Sequence, residues 1–123
     1  MRPILQDKFY SKELGTRGNC QQAATASILG LALEQVPNFL DAEFFWAAYH
    51  AFLKSKGFID IELPPNSVPD CFYLAYGQSS RGVKHACIYR AGALVHDPHP
   101  SGEGIVKVDE IHIIVPIEIS LQS

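Results

Sequence analysis

The chain has little of what marks a membrane, secreted or nucleic-acid-binding protein. Its longest apolar runs, such as Phe44 to Tyr49, stop far short of the ~20 residues a membrane-spanning helix needs. The opening stretch MRPILQDKFYSKE carries charges where a secretion signal needs an apolar core. The 10 Lys and Arg are scattered without a basic run, and the net charge is −3, so no phosphate-tracking surface is expected. Only 3 cysteines are present (Cys20, Cys71 and Cys87), an odd number that cannot close a complete disulfide framework. Together these absences predict a cytoplasmic protein with neither a membrane nor a nucleic-acid partner. Repeats and low-complexity tracts are also missing. What remains, 123 residues with 47% apolar and 19% charged, is the composition of a single globular domain over residues 1–123. A chain of this length buries roughly two-thirds of its unfolded surface and needs no disulfide or metal staple. The sequence carries no mark of oligomeric state.

Breakers organise the chain. Gly15 to Gly18 is a loop, Asn19 is a good helix cap, and CQQAATASIL (Cys20 to Leu29) is free of Gly and Pro. Ala23, Ala24, Ser27, Ile28 and Leu31 recur at helical spacing, and their small size predicts a buried central helix that ends near Gly30. Leu33 to Leu40, broken by Pro37, reads as a short connection. A second helix is expected over 41–56, capped by Asp41 and ended by Gly57, with Phe45, Ala48, Tyr49 and Phe52 on its core stripe. After a proline-rich linker at 63–70, strands are expected at 71–76, 83–90, 93–97, 105–108 and 111–119, with Pro116 marking the last as an edge or bulged strand. Helices followed by antiparallel strands make an α+β domain.

The chemistry centres on one thiol. Cys20 falls at the first helical position, where unpaired N–H groups and the helix dipole favour thiolate over thiol. Cys71 and Cys87, inside strands, read as inert packing. A nucleophilic cysteine needs a base, and the base needs an orienting group. Of the 5 histidines, His50 and His112 read as structural or surface residues, whereas His85 gains a partner from hairpin geometry. A three-residue loop, Arg90-Ala91-Gly92, pairs 89 with 93, 87 with 95 and 85 with 97, setting His85 beside Asp97. A two-residue loop, Ala91-Gly92, puts Asp97 on the opposite face. A three-residue loop is expected, with His85 and Asp97 on one face.

The combination of Gly18-Asn19-Cys20 opening a helix, His85 on a later strand and Asp97 on the next resembles the papain-like cysteine peptidase superfamily. Within it the chain is similar to small single-domain bacterial and phage members. The resemblance runs from about Gln6 to Pro100 and rests on GNCQQAATASILGL, VPNF and RGVKHACIYRAGALVHDPHPSGEG. It implies a papain-like fold, Cys20 as nucleophile, His85 as general base and acid, and Asp97 as the group holding the imidazole tautomer. It implies acyl transfer on a peptide or small amide through a thioester, and no cofactor. The superfamily commonly places an oxyanion-hole Gln a few residues before the Cys and an aromatic after it. Here Leu14 stands six residues upstream, Gln6 stands fourteen upstream, and Gln21 follows the Cys. Gln6, Asn19 and the Cys20 backbone N–H compete for the oxyanion role.

The loop GQSSRG (Gly77 to Gly82) is expected to rim the substrate groove, with Ser80 and Arg81 as substrate-binding residues and Arg81 suited to a carboxylate. Two other readings compete: an inactive papain-like domain that binds a partner protein, and a metal site drawn from His85, His96, Asp97 and His99. Proline-separated ligands in a loop lack the fixed spacing of a strong zinc motif, so no metal is assigned.

Overall fold

The computed structural model describes residues 1–117. It is an α+β domain with two α-helices, α1 (Cys20–Leu29) and α2 (Phe45–Ser55), packed on a five-stranded antiparallel sheet. The strands are β1 (Phe58–Leu63), β2 (Tyr73–Gln78), β3 (Lys84–Arg90), β4 (Ala93–His96) and β5 (Glu110–Pro116), in the spatial order β1-β5-β2-β3-β4. No helix among the described residues is long and apolar enough to cross a membrane.

α1 has the predicted limits. Gly30 closes it in the left-handed conformation (φ 71°), which a residue without Cβ adopts at no steric cost. Its Ala24 and Ala26 are fully buried against Leu74, Tyr76, Ala86 and Ile88, since small side chains let the helix lie close to the sheet. The second helix is shorter than expected. The Asn38 side chain accepts from Leu40 N–H and opens a 3-10 turn at Phe39–Asp41, so Asp41 ends that turn and α2 begins four residues later. Tyr49 and Leu53 are its buried anchors. Tyr73, Ala75 and Ile111 form a second apolar cluster, covered by Ile105 and Val108.

Several strands differ from expectation. β1 was not anticipated. The 105–108 segment is a loop: Val106 N–H donates to Gln78 and Asp109 N–H to Tyr76, which ties it along β2 without a ladder. It passes so close that a Cβ on Gly77 would sit 1.9 Å from the Lys107 carbonyl oxygen. Pro116 is the last residue of β5, paired with Phe58 beyond the reach of β2, so it interrupts no central ladder. Residues 118–119, also assigned to this strand from sequence, lie outside the described residues.

The β3–β4 hairpin corrects the register argument. Arg90 pairs with Ala93 and Tyr89 with Leu94 around a two-residue turn, Ala91-Gly92, with both residues left-handed (φ 51° and 82°). That geometry matches strand twist. Ala91 N–H donates to the Pro69 carbonyl and Gly92 N–H to the Tyr73 hydroxyl, which hold the turn. By itself this turn sends Asp97 to the wrong face. A bulge repairs it: Ile88 pairs with His96, leaving Val95 as the extra residue. Continuing past the bulge sets Asp97 across from Cys87, on the face that also carries His85.

Ala91 is the one residue other than glycine with a positive φ among the described residues. Replacing it with Asn, which tolerates that region, is expected to raise unfolding free energy by about 0.5–1 kcal/mol in urea titration.

Candidate functional site

The N-terminal segment builds one wall of the site. Asn19 does not cap α1 with its side chain. Its Oδ1 instead accepts from the Asp7 and Lys8 N–H groups (3.2 and 2.9 Å), and its Nδ2 donates to Asp7 Oδ1 and Gln22 Oε1 (2.8 and 3.1 Å). Both amide hydrogens are therefore engaged in binding the segment to the helix. This leaves the Asn19 side chain no hydrogen for an oxyanion. Residues 9–17 loop out, closed by a Ser11–Thr16 bridge, which brings Gln6 back beside Cys20 despite the long separation. Gln6 Nε2 donates one hydrogen to the Lys8 carbonyl (2.9 Å), leaving its second free. As the first residue of α1, Cys20 has a backbone N–H among the helix's unpaired donors.

Across from α1, the imidazole of His85 and the carboxylate of Asp97 are almost completely buried, at 3% and 1% side-chain exposure, with Nε2 2.6 Å from Oδ1. A carboxylate oxygen only accepts, so Nε2 carries the proton and Nδ1 is left for the thiol side. Asp97 is held by two more donors, the His99 N–H on Oδ1 and the Gly104 N–H on Oδ2, both at 2.8 Å. Burial alone would raise the Asp97 pKa, but His85 and the two backbone donors outweigh it and hold the carboxyl well below the usual range. Burial alone would likewise depress His85. The Asp97 hydrogen bond and the neighbouring Cys20 and Cys87 thiols reverse this and push it up to about 11. Burial pushes the Cys87 thiol up, against a downward pull from His85.

Cys20, half-buried, and His85 share an apolar groove of about 630 Å³. Phe45, Trp46 and Leu40 supply its apolar wall. Trp46 is fixed from behind by a network that sequence reading missed. Its ring stacks on His112 at 5.5 Å and 14°, and His112 lies between Asp60 (2.7 Å) and Glu110 (3.1 Å). His112 is thus structural, as expected, and its pKa is raised: burial opposes the charge, but the two carboxylates prevail. Arg81 lines the groove, whereas Ser80 does not, because its hydroxyl bonds to Glu103. The histidines of the metal reading form no common ligand cluster among the described residues, although the His85 and His99 rings meet edge to face at 6.2 Å. His96 Nε2 donates to the Ile4 carbonyl (2.7 Å), and His99 Nδ1 accepts from Ser101 N–H (3.0 Å), while His85 and Asp97 gather with Cys87 instead. Gln21 and Tyr76, also groove-lining, were not assigned a role from sequence. The one available signal was Gln21 at the position where the superfamily carries an aromatic.

No protein-family model, no curated protein and no solved structure matches the chain.

The pair makes stability pH-dependent in two windows. Asp97 is depressed when folded, so its contribution is complete above the unfolded value of 3.8 and is lost as pH falls further. His85 is raised when folded, so its contribution is complete below 6.5 and is lost as pH climbs towards about 11. Thermal midpoints measured from pH 2 to 11 should decline at both ends. In Asp97→Asn both declines should flatten, with a loss of about 3–5 kcal/mol at neutral pH, because the buried carboxylate charge that His85 pairs with is gone and the amide NH2 meets the Gly104 N–H donor.

Proposed function

We propose that this protein is a papain-like cysteine hydrolase acting on a peptide or other small amide. The observation that carries the reading is the buried 2.6 Å His85–Asp97 pair facing a half-buried cysteine at a helix N-terminus inside an apolar groove. His112 forms a similar buried pair with Asp60, so what sets His85 apart is the Cys20 thiol that lines the same groove. In the proposed cycle Cys20 is the nucleophile and His85 the imidazolium that supplies a proton. The sulfur attacks the carbonyl carbon, and the C–S bond forms as the carbonyl π pair moves to oxygen. The Cys20 N–H and the free hydrogen of Gln6 Nε2 stand as donors to that oxyanion. The tetrahedral intermediate collapses and the C–N bond breaks, while the proton on His85 passes to the leaving nitrogen. Water then gives a proton to His85 and its oxygen to the thioester carbon, and the C–S bond breaks with its electron pair returning to sulfur, which releases the acid and returns Cys20 and His85 to their starting state. Asp97 keeps Nε2–H engaged throughout, so Nδ1 is the atom that exchanges protons with the reacting groups.

Selective labelling tests this reading. An ordinary exposed thiol reacts faster than a half-buried one, so without activation Cys71 (exposed) should lead Cys20, with buried Cys87 last. With N-ethylmaleimide at pH 6 and peptide mapping by mass spectrometry, Cys20 is expected to react about tenfold faster than Cys71 or more. His85→Ala should restore Cys71 to first place. Cys71 leading in the unaltered protein contradicts a catalytic Cys20 and favours a binding domain that has retained its cysteine for packing.

A further inference from the structure

The floor of the groove has polar groups with nothing to bind. Gln21 and Tyr76 are only 7% and 4% exposed, yet among the described residues neither the Gln21 amide nor the Tyr76 hydroxyl makes a well-formed hydrogen bond, although the two side chains lie near each other. A buried amide or hydroxyl left unpaired is costly, and groups kept in that state usually serve a ligand. Both residues line the groove together with Cys20, and Gln21 follows Cys20 in the chain. From this we infer that Gln21 and Tyr76 form a subsite for a neutral primary carboxamide, the side chain of a Gln or Asn residue flanking the bond attacked at Cys20.

The donor and acceptor count selects that chemistry. The Gln21 amide offers one acceptor and an N–H side by side, the complement of another primary amide in a two-bond pair. The Tyr76 hydroxyl, kept protonated by its burial, adds a third contact. A carboxylate fits poorly: it brings two acceptors to a site with one acceptor already there, and Asp60 and Glu110 lie close enough to raise Tyr76 further. An aliphatic side chain would bury all three polar atoms unpaired. The methylene stem of Gln or Asn has its own surface, because Trp46 and Phe45 line the same groove, with the Trp46 ring 6.1 Å from that of Tyr76.

The inference rests on the proposed hydrolase reading for its substrate, but its binding test does not need a reactive thiol. Trp46 is the single tryptophan of the chain and lines the groove, so its fluorescence reports occupancy. Cys20→Ala protein is titrated with N-acetylglutamine amide, N-acetylnorleucine amide and N-acetylglutamate amide. The glutamine compound is expected to bind about tenfold more tightly than the other two, since only it pairs the floor. That preference should vanish in Cys20→Ala/Gln21→Leu and shrink in Cys20→Ala/Tyr76→Phe. Both replacements remove unpaired buried polar atoms, so the thermal midpoint should hold or rise, which an amide needed for folding would not allow. Equal binding of the three compounds, or a glutamine preference that survives Gln21→Leu, overturns the subsite. In the unaltered protein, acyloxymethyl ketones of acetylglutamine and acetylnorleucine should label Cys20 in the same order of preference. Binding selectivity without Cys20 labelling would retain the carboxamide subsite and reject the hydrolase reading.

Discussion

A single carboxylate with three donors organises the site. Asp97 takes His85 Nε2–H and two backbone N–H groups, from His99 and Gly104, in a place almost closed to water. Buried, a lone carboxylate is expensive, and only a full set of donors makes it tolerable. The same three bonds shape the chain around it: they fold the 97–104 loop back on itself and fix the ring of His85. Through that ring they decide which nitrogen faces Cys20. The bulge at Val95 is the backbone condition for this arrangement, because without it the two-residue turn would send Asp97 to the opposite face. The N-terminal segment seals the other side, with Gln6 N–H on the Pro98 carbonyl (2.9 Å) and Asn19 binding Asp7 and Lys8.

Around this centre the polar groups divide into two kinds. One kind is paired and positions walls: Asn19 holds the N-terminal segment, Gln22 Nε2 donates to the Leu33 and Val36 carbonyls, and Asp60, His112 and Glu110 hold Trp46. The other kind is left open, on Gln21, Tyr76 and Gln6 Oε1, and all three residues line the same groove. Structural polar groups in a core are normally satisfied. Among the described residues the exceptions all fall on side chains that line this one groove.

The legible parts of the sequence were those with local causes. α1 could be read to the residue because Gly18 and Asn19 break the chain before it, alanines fill it and Gly30 ends it. The convergence of Cys20, His85 and Asp97 was also visible, although the route to it was wrong: a three-residue loop was inferred where a two-residue turn plus a bulge does the work. A bulge leaves no mark in composition, since Val95 looks like any strand residue. β1 escaped for a different reason. Its Ile59 and Ile61 are exposed, while Asp60 turns inward to Tyr49 and His112, so the usual apolar-in pattern is inverted. Asp41 resembled a cap, but Asn38 had already started a tighter turn. The Gln21–Tyr76 floor depends on sheet topology linking residues far apart in sequence, which no local pattern reveals.

The central claim is that Asp97 keeps His85 protonated beside Cys20. The most direct test is nitrogen-15 NMR of the His85 ring, followed through a pH titration with the other histidines assigned. The account predicts an imidazolium, protonated at both nitrogens across neutral pH, that gives up its proton only as the pH nears about 11. In Asp97→Asn the same titration should move sharply downward. A His85 that titrates near the ordinary 6.5 in the unaltered protein would contradict the claim, leaving the pair a neutral hydrogen bond with no hold on the chemistry at Cys20.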